Sequence, residues 1–295
     1  MKLLFSYLKV YWKLVALALV LATINQVFSL LDPYIFKHII DDYVNQFGKH
    51  DKSSFFRGVG SLLLAAVGVA FVSRIAKNFQ DYFVNVITQK VGAKIYADGI
   101  MHSLELPYSV FEDQRSGETL GKLQKVKTDV ERLISTFINV LFTSLVAIVF
   151  VTVYAINVHW IIAPIYFGTI PLLGILSSYL SRKVKTIQKK IVAETTALAG
   201  ATTESLRNIE LVKSLGLAGQ EIKRLNDTTT KILDLELKKV RYIRSLSFIQ
   251  GTCVNLLRTA ILFVMLYLIF DKQITIGQFF TMFIYSFYIF GPLQE

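Results

Sequence analysis

From position 133 to position 157 the chain runs for 25 residues without one Asp, Glu, Lys, Arg or His. An α-helix needs about 20 apolar residues to cross a hydrocarbon core about 30 Å thick, and this run exceeds that length. Lipid offers the backbone no hydrogen-bonding partner, so each N–H and C=O must be satisfied within the segment, and a single isolated segment can do so only as a helix. Five further apolar runs lie at 14–36, 59–72, 160–181, 245–270 and 274–293. The run at 59–72 is short for a span and continues as a polar helical stretch. The expected fold is therefore an all-α membrane protein with six long transmembrane helices. Composition agrees: 53% of the residues are hydrophobic and only 18% charged, with a mean hydropathy of +0.50. A soluble domain carries about 25% charged residues, so disorder, a disulfide scaffold and most soluble enzymes are excluded. The single cysteine, Cys253, cannot form an internal bridge.

The amino terminus could be read as a signal peptide, since Lys2, Lys9 and Lys13 surround its start. The apolar run that follows is about twice the length of a signal core, and no small-x-small cleavage site closes it. The three lysines share one helical face, with Leu3, Leu4, Phe5, Leu8 and Trp12 over the rest. Residues 1–12 are therefore expected to form an interfacial elbow helix lying on the membrane.

Orientation follows from basic residues in the connections. The amino terminus, residues 90–132 and residues 182–244 together hold 24 of the 32 lysines and arginines, whereas the connections at 157–160 and 271–273 hold only Lys272. The rich side is expected to be cytoplasmic, with both termini inside. The net charge of +11 is then a topology signal rather than a nucleic-acid footprint, and no nucleic-acid partner is expected.

The two long inner connections have strong helix-forming composition, almost free of Gly and Pro over 182–206 and 221–244. From Phe56 to Leu106 a continuous helix would measure about 75 Å, so about 40 Å would project beyond the bilayer. Two stalked hairpins of matched reach imply something docked at their tips. The first tip follows Pro107 and presents Tyr108 and Phe111 before Gly117 and Gly121. The second runs from Arg207 through Ile209, Val212 and Lys213 to Gly216 and Gly219. For Phe111, Ile209 and Val212, packing between the two hairpins is an equal alternative to docking.

At this point the chain resembles the transmembrane domain of ABC exporters, the six-helix type of lipid A flippases, multidrug exporters and peptidase-linked exporters. The resemblance rests on four patterns in order: Pro33 to Ile39-Ile40-Asp41, Leu106-Pro107 with Phe111, Gly117 and Asp129, Thr203-Glu204 to Gly216, and Ile276-Gly277 with Pro292-Leu293. It covers essentially the whole chain. It implies helices at 13–46, 56–106, 121–157, 160–206, 220–270 and 275–295, with coupling helices near 108–120 and 208–219. Tyr108, Phe111, Glu112, Gly117, Glu118, Arg207, Ile209, Val212, Lys213 and Gly216 are the implied contacts to an ATPase domain. The fourth and fifth helices would cross to a second transmembrane half, identical or not. ATP-driven closure of two ATPase domains would switch the cavity from inward- to outward-facing. The chain would lie in the bacterial inner membrane, and its partners would be that second half, ABC ATPase domains and membrane lipids.

The resemblance has one departure. No phosphate loop occurs: Gly117 to Gly121-Lys122-Leu123 is one residue short between its glycines, ends in leucine and lacks a preceding strand. Mg-ATP would thus be bound by nucleotide-binding domains missing from this chain, through excision of that domain or its presence on a separate chain. No catalytic or metal-binding constellation is present either, since His38, His50, His102 and His159 are scattered and Cys253 has no adjacent base.

Polar groups within spans are costly and mark candidate function. Asn25 and Gln26 lie near the middle of the first span, Arg74 and Lys77 near the inner end of the second, and Arg258 about 20 Å deep in the fifth. They suggest a cationic cavity for an amphipathic anion such as a phosphorylated lipid. The alternative is that Arg74 and Lys77 snorkel to headgroups and Arg258 pairs within the bundle. The aromatic last span, including Phe279, Phe280, Phe283, Tyr285, Phe287, Tyr288 and Phe290, could line a cavity or pack, with Tyr285 the cavity candidate. Pro33, Pro164 and Pro171 are expected to bend spans. The sequence thus points to the permease domain of an exporter of lipid, drug or peptide. A membrane anchor or receptor whose stalks dock another cytoplasmic protein is the alternative. A secondary transporter would need inverted repeats, and none is evident.

Overall fold

The computed structural model describes residues 2–46, 48, 51–107 and 116–291; at 2, 3, 116–120, 122, 169, 170, 172, 173, 176, 177, 179 and 180 it describes the backbone alone. Its elements are α1 (Lys2–Val10), α2 (Trp12–His38), α3 (Lys52–Glu105), α4 (Ser116–Thr136), α5 (Thr143–Val158), α6 (Ile162–Arg207), α7 (Ile209–Ser214), α8 (Ala218–Phe270) and α9 (Ile276–Phe290). Two π-helical stretches, Ile39–Val44 and Phe137–Phe142, extend α2 and join α4 to α5. No strand occurs among the described residues.

Among the described residues, four helical stretches are long and apolar enough to cross a membrane: Trp12–Val44, Lys52–Glu105, Leu123–Val158 and Ala218–Phe270, with Ile276–Phe290 a shorter apolar helix. The short apolar run at 59–72 is the opening of α3, whose 54 residues make about 80 Å of helix, well over twice the hydrocarbon thickness. With 53 residues, α8 has the same reach.

The helices pack into two units, the described residues of 2–163 with 262–291, and residues 164–261. In the first, Val84, Ile87, Val91 and Ile95 form one buried stripe of α3 against Ala18 and Ala22 of α2 and Ile134 and Ile138 around the second π stretch. Small residues four apart let helix backbones approach closely, which is the main source of attraction where lipid removes the hydrophobic driving force. On α5, Ala147, Val151 and Ala155 are buried while Leu145, Val149 and Val153 on another face are more than half exposed. A helix that is as apolar outside as inside is solvated by lipid. In the second unit, Tyr166, Ile187 and Ile191 are among the buried residues of α6, with Val254 and Ile261 buried on α8.

Candidate functional site

The second tip is the site whose geometry is fully described. Its centre is α7, six residues long, with Glu210 in its first turn and Lys213 in its last, the charge order that complements a helix dipole. It ends in a Schellman motif. The Gly216 N–H donates to the Lys213 carbonyl at 3.1 Å and the Leu217 N–H to the Val212 carbonyl at 2.9 Å. That motif requires a left-handed residue, and Gly216 takes it at φ 69°. The result is a short helix stopped abruptly between two long ones.

Those long helices are clamped together. The Ser205 hydroxyl at the end of α6 donates to Glu221 in the first turn of α8, and Arg224 donates to the same carboxylate. These two donors hold the Glu221 carboxyl below the usual carboxylate range. Further from the tip, Lys231 meets Glu194 at 2.5 Å, Lys239 donates to Gln188 at 3.1 Å, and the Lys183 ammonium lies 5.7 Å from the Tyr242 ring centre. Walking from Ser205 back to Lys183 and from Glu221 forward to Tyr242 covers almost equal numbers of residues. The arms are therefore antiparallel and in register over about 30 Å. Beyond them, Leu206, Ile209, Leu211 and Leu215 are exposed.

Arg207, Ile209 and Lys213 are exposed as well, and Val212 is half-buried. Leu211 and Leu215 were not anticipated; their four-residue spacing, one helical turn, was the available signal. Of the first tip, Tyr108, Phe111 and Glu112 lie outside the described residues, and Gly117 and Glu118 are described only as backbone in the first turn of α4.

The membrane candidates divide. Asn25 joins a polar chain in the first unit. Its carboxamide oxygen accepts from Ser73 at 3.0 Å, and its amide donates to Gln80 at 3.4 Å. Gln80, wholly buried, donates to Asn139 at 2.7 Å. An amide buried without partners is costly, and this chain supplies them across three helices. Neither Gln80 nor Asn139 stood out in the sequence, because a single amide inside a long helix carries no periodic signal. Gln26 is half-buried, Arg74 is exposed, and Lys77 is half-exposed and paired with Asp81 at 2.8 Å. Arg258, in the second unit, is half-buried.

Tyr285 is fully buried, with its hydroxyl donating to the Leu30 carbonyl at 2.6 Å. Its ring stands edge-on to Tyr154 and Phe150 at 5.3 and 6.2 Å. In this structure it presents no surface to a substrate. Its position relates to Pro33, which removes one donor from α2. The Thr281 hydroxyl donates to the Pro33 carbonyl at 2.9 Å, so α9 supplies hydroxyls to carbonyls beside that proline.

At the start of α9, Asp41 from the π-helical end of α2 caps the helix. Its two carboxylate oxygens accept from the Gly277 N–H at 2.9 Å and the Thr275 hydroxyl at 2.6 Å. Thr275 and Gln278 complete a capping box of their own.

The sequence matches the family described as the ABC transporter transmembrane region over residues 15–293. It is 24% identical over 285 residues to the transport/processing ATP-binding protein ComA of Streptococcus pneumoniae R6, covering 94% of this chain and 38% of that protein. It is 22% identical over 170 residues to the ATP-dependent lipid A-core flippase of Saccharophagus degradans (58% of this chain, 29% of the flippase). It is 21% identical over 279 residues to the leukotoxin translocation ATP-binding protein LktB of Mannheimia haemolytica (91% and 37%). The chain thus spans well under half the length of the curated relatives it matches. Long apolar helices, a clamped helical hairpin carrying a short exposed helix, and a family match across nearly every residue lead to one assignment: the chain belongs to the ABC transporter transmembrane-region family.

Proposed function

We propose that this chain is the membrane-spanning permease domain of an ATP-driven exporter that moves an amphipathic lipid, drug or peptide out of the cytoplasm or inner leaflet by alternating access. The observation that carries the reading is α7: exposed Ile209, Leu211 and Leu215 on a short helix at the end of a clamped antiparallel hairpin. An exposed apolar helix of this kind suits a groove in a partner, and a stiff hairpin transmits displacement rather than absorbing it. The partner is an ABC ATPase domain that binds Mg-ATP, contacted here through Arg207, Ile209, Val212, Lys213 and Gly216. The stretch from Tyr108 through Phe111 and Glu112 to Gly117 and Glu118 makes the second contact.

In this reading the chain spans the membrane six times, with α6 and α9 completing the set, both termini in the cytoplasm and α1 as an interfacial elbow. The membrane is a bacterial inner membrane. A second transmembrane half, identical or not, covers the exposed stripe Leu233, Leu237 and Val240 on α8, which lies among lysines and acids where lipid would not solvate it. Asn25, Gln26, Arg74 and Lys77 on the first unit and Arg258 on the second supply polar contacts to the substrate path, and Tyr285 supports the helices around it.

A photo-crosslinking residue at Leu211 of the full-length protein tests the reading. Capture of an ABC ATPase domain, with loss of ATP-dependent transport in Leu211→Asp proteoliposomes, is the expected result. Capture of a different cytoplasmic protein, together with transport unaffected by Leu211→Asp, would mean that the stalks serve an anchor or receptor.

A further inference from the structure

Beside α1 lies a groove of about 700 Å³, walled by α1, the first turns of α2 and the junction of α4 with the second π stretch. Its surfaces come from Leu4, Trp12, Ala16, Leu133 and Phe137 among others, and besides the Trp12 indole only Ser6 and Lys9 bring polar side chains to it. The α1 wall is fixed in place: the Tyr7 hydroxyl donates to Asp98 on α3 at 2.9 Å. That carboxylate also pushes the Tyr7 hydroxyl above its ordinary pKa, so the donor stays protonated.

Two properties limit what can occupy the groove. Its lining is apolar and includes no carboxylate, so a soluble anion or a polar peptide would lose hydration without replacement. The segment that supplies two of its walls carries positive charge alone: Lys2, Lys9 and Lys13 are the only charged residues among the first 31, while the nearby carboxylates on α3 and α4 already have partners, Asp98 in Tyr7 and Glu131 in Lys127. Lys9 closes α1, Lys13 lies in the first turn of α2, and both are exposed. An apolar slot beside ammonium groups matches a molecule with a hydrocarbon chain and an anionic head.

We propose that the groove is a binding site for an anionic phospholipid of the adjoining leaflet, one acyl chain lying against Leu4, Ala16 and Phe137 and the phosphate paired with Lys9 and Lys13. The site is separate from the substrate path and rests on the reading of α1 as an interfacial helix. It makes α1 a sensor of leaflet charge: filling the groove ties α1 to α2 and α4 through the lipid.

The experiment uses the full-length protein in nanodiscs containing phosphatidylglycerol or phosphatidylcholine, each with a photoreactive diazirine in one acyl chain. Labelling is expected on peptides spanning 4–19 and 133–138, with phosphatidylglycerol exceeding phosphatidylcholine by about fivefold for each lysine engaged. Lys9→Gln with Lys13→Gln, both surface changes, should remove that preference, and Ala16→Trp should fill the groove and reduce capture of either lipid. Equal labelling by the two lipids, or labelling unchanged by Ala16→Trp, overturns the proposal. So does cross-linking of these peptides to a second copy of the chain. A separate measurement follows Trp12 emission, with every other tryptophan of the full-length protein replaced by Phe, in brominated lipids. Quenching without headgroup preference keeps α1 at the interface and overturns only the lipid site; absence of quenching overturns the interfacial reading itself.

Discussion

Each oxygen of the Asp41 carboxylate has its own donor, the backbone N–H of Gly277 and the hydroxyl of Thr275. A carboxylate at a helix N-terminus satisfies a backbone group that has no partner in its own helix and lies at the positive end of the dipole. Asp41→Ala should therefore cost about 1 kcal/mol, seen as a lower melting temperature of the purified protein. Gly277 makes the contact possible. A Cβ there would lie 2.6 Å from the Lys37 carbonyl oxygen and 2.7 Å from the Asp41 carboxylate, and neither a backbone atom nor a capping group can step aside cheaply. Gly277→Ala should cost about 1–3 kcal/mol, with the double variant losing less than the sum of the two, since both remove the same contact. Strict additivity in the melting data would mean that the two residues act independently. Both residues were visible in the sequence only as parts of separate family patterns. Nothing in the chain joins positions 236 residues apart, so the physical reason for the two patterns became evident only when α2 and α9 were placed side by side.

The elements divide into those set by composition and those set by contact. Long helices were legible because a run rich in Lys, Glu, Leu and Ala without proline has no other structure that satisfies its backbone both in lipid and in water. The two π-helical stretches were not, because one extra residue per turn leaves the apolar pattern nearly unchanged over six positions. Polar contacts between helices were partly legible: Asn25 drew notice as an amide in a span, whereas Gln80 and Asn139, which complete its chain, did not. Tyr285→Phe keeps the ring packing and removes only the donor to the Leu30 carbonyl, so it should cost about 0.6 kcal/mol and at most about 1.7. A thermal scan in detergent checks this, and no change would place the stabilisation in the ring alone. The clamp at the second tip carries a pH dependence. Because the Glu221 pKa is lowered in the folded chain, the clamp is fully formed above the ordinary carboxylate pKa and weakens as pH falls through the lowered value. Hydrogen exchange of amides in 205–221, corrected for intrinsic rate, should be protected at neutral pH and lose protection on acidification. Ser205→Ala should move that loss to higher pH, toward the ordinary value of 4.5.

At the scale of the whole molecule the question is what covers the surfaces that this chain leaves open. Apolar exposure on α5 needs no partner, since lipid solvates Leu145, Val149 and Val153 as well as protein would. The stripe on α8 is different: Leu233, Leu237 and Val240 recur at helical spacing, beside Lys231, Asp234, Glu236, Lys238 and Lys239. Charges at that density hold the segment out of hydrocarbon, and water leaves the leucines unsatisfied. Protein is the remaining solvent, which is the argument for a second transmembrane half against this face of α8. Leu237→Glu should leave the single chain's melting temperature unchanged, because the residue is already 47% exposed in it. In the assembled full-length transporter the same change removes a buried apolar contact and leaves a carboxylate without a partner. It should weaken association of the halves by about tenfold or more, measured as the fraction of assembled particles against concentration. A charge-neutral control, Leu237→Ala, should give the smaller loss expected from area alone. If Leu237→Glu assembles as well as the unaltered protein, the α8 stripe faces water in the working transporter, and the second half must meet the chain elsewhere.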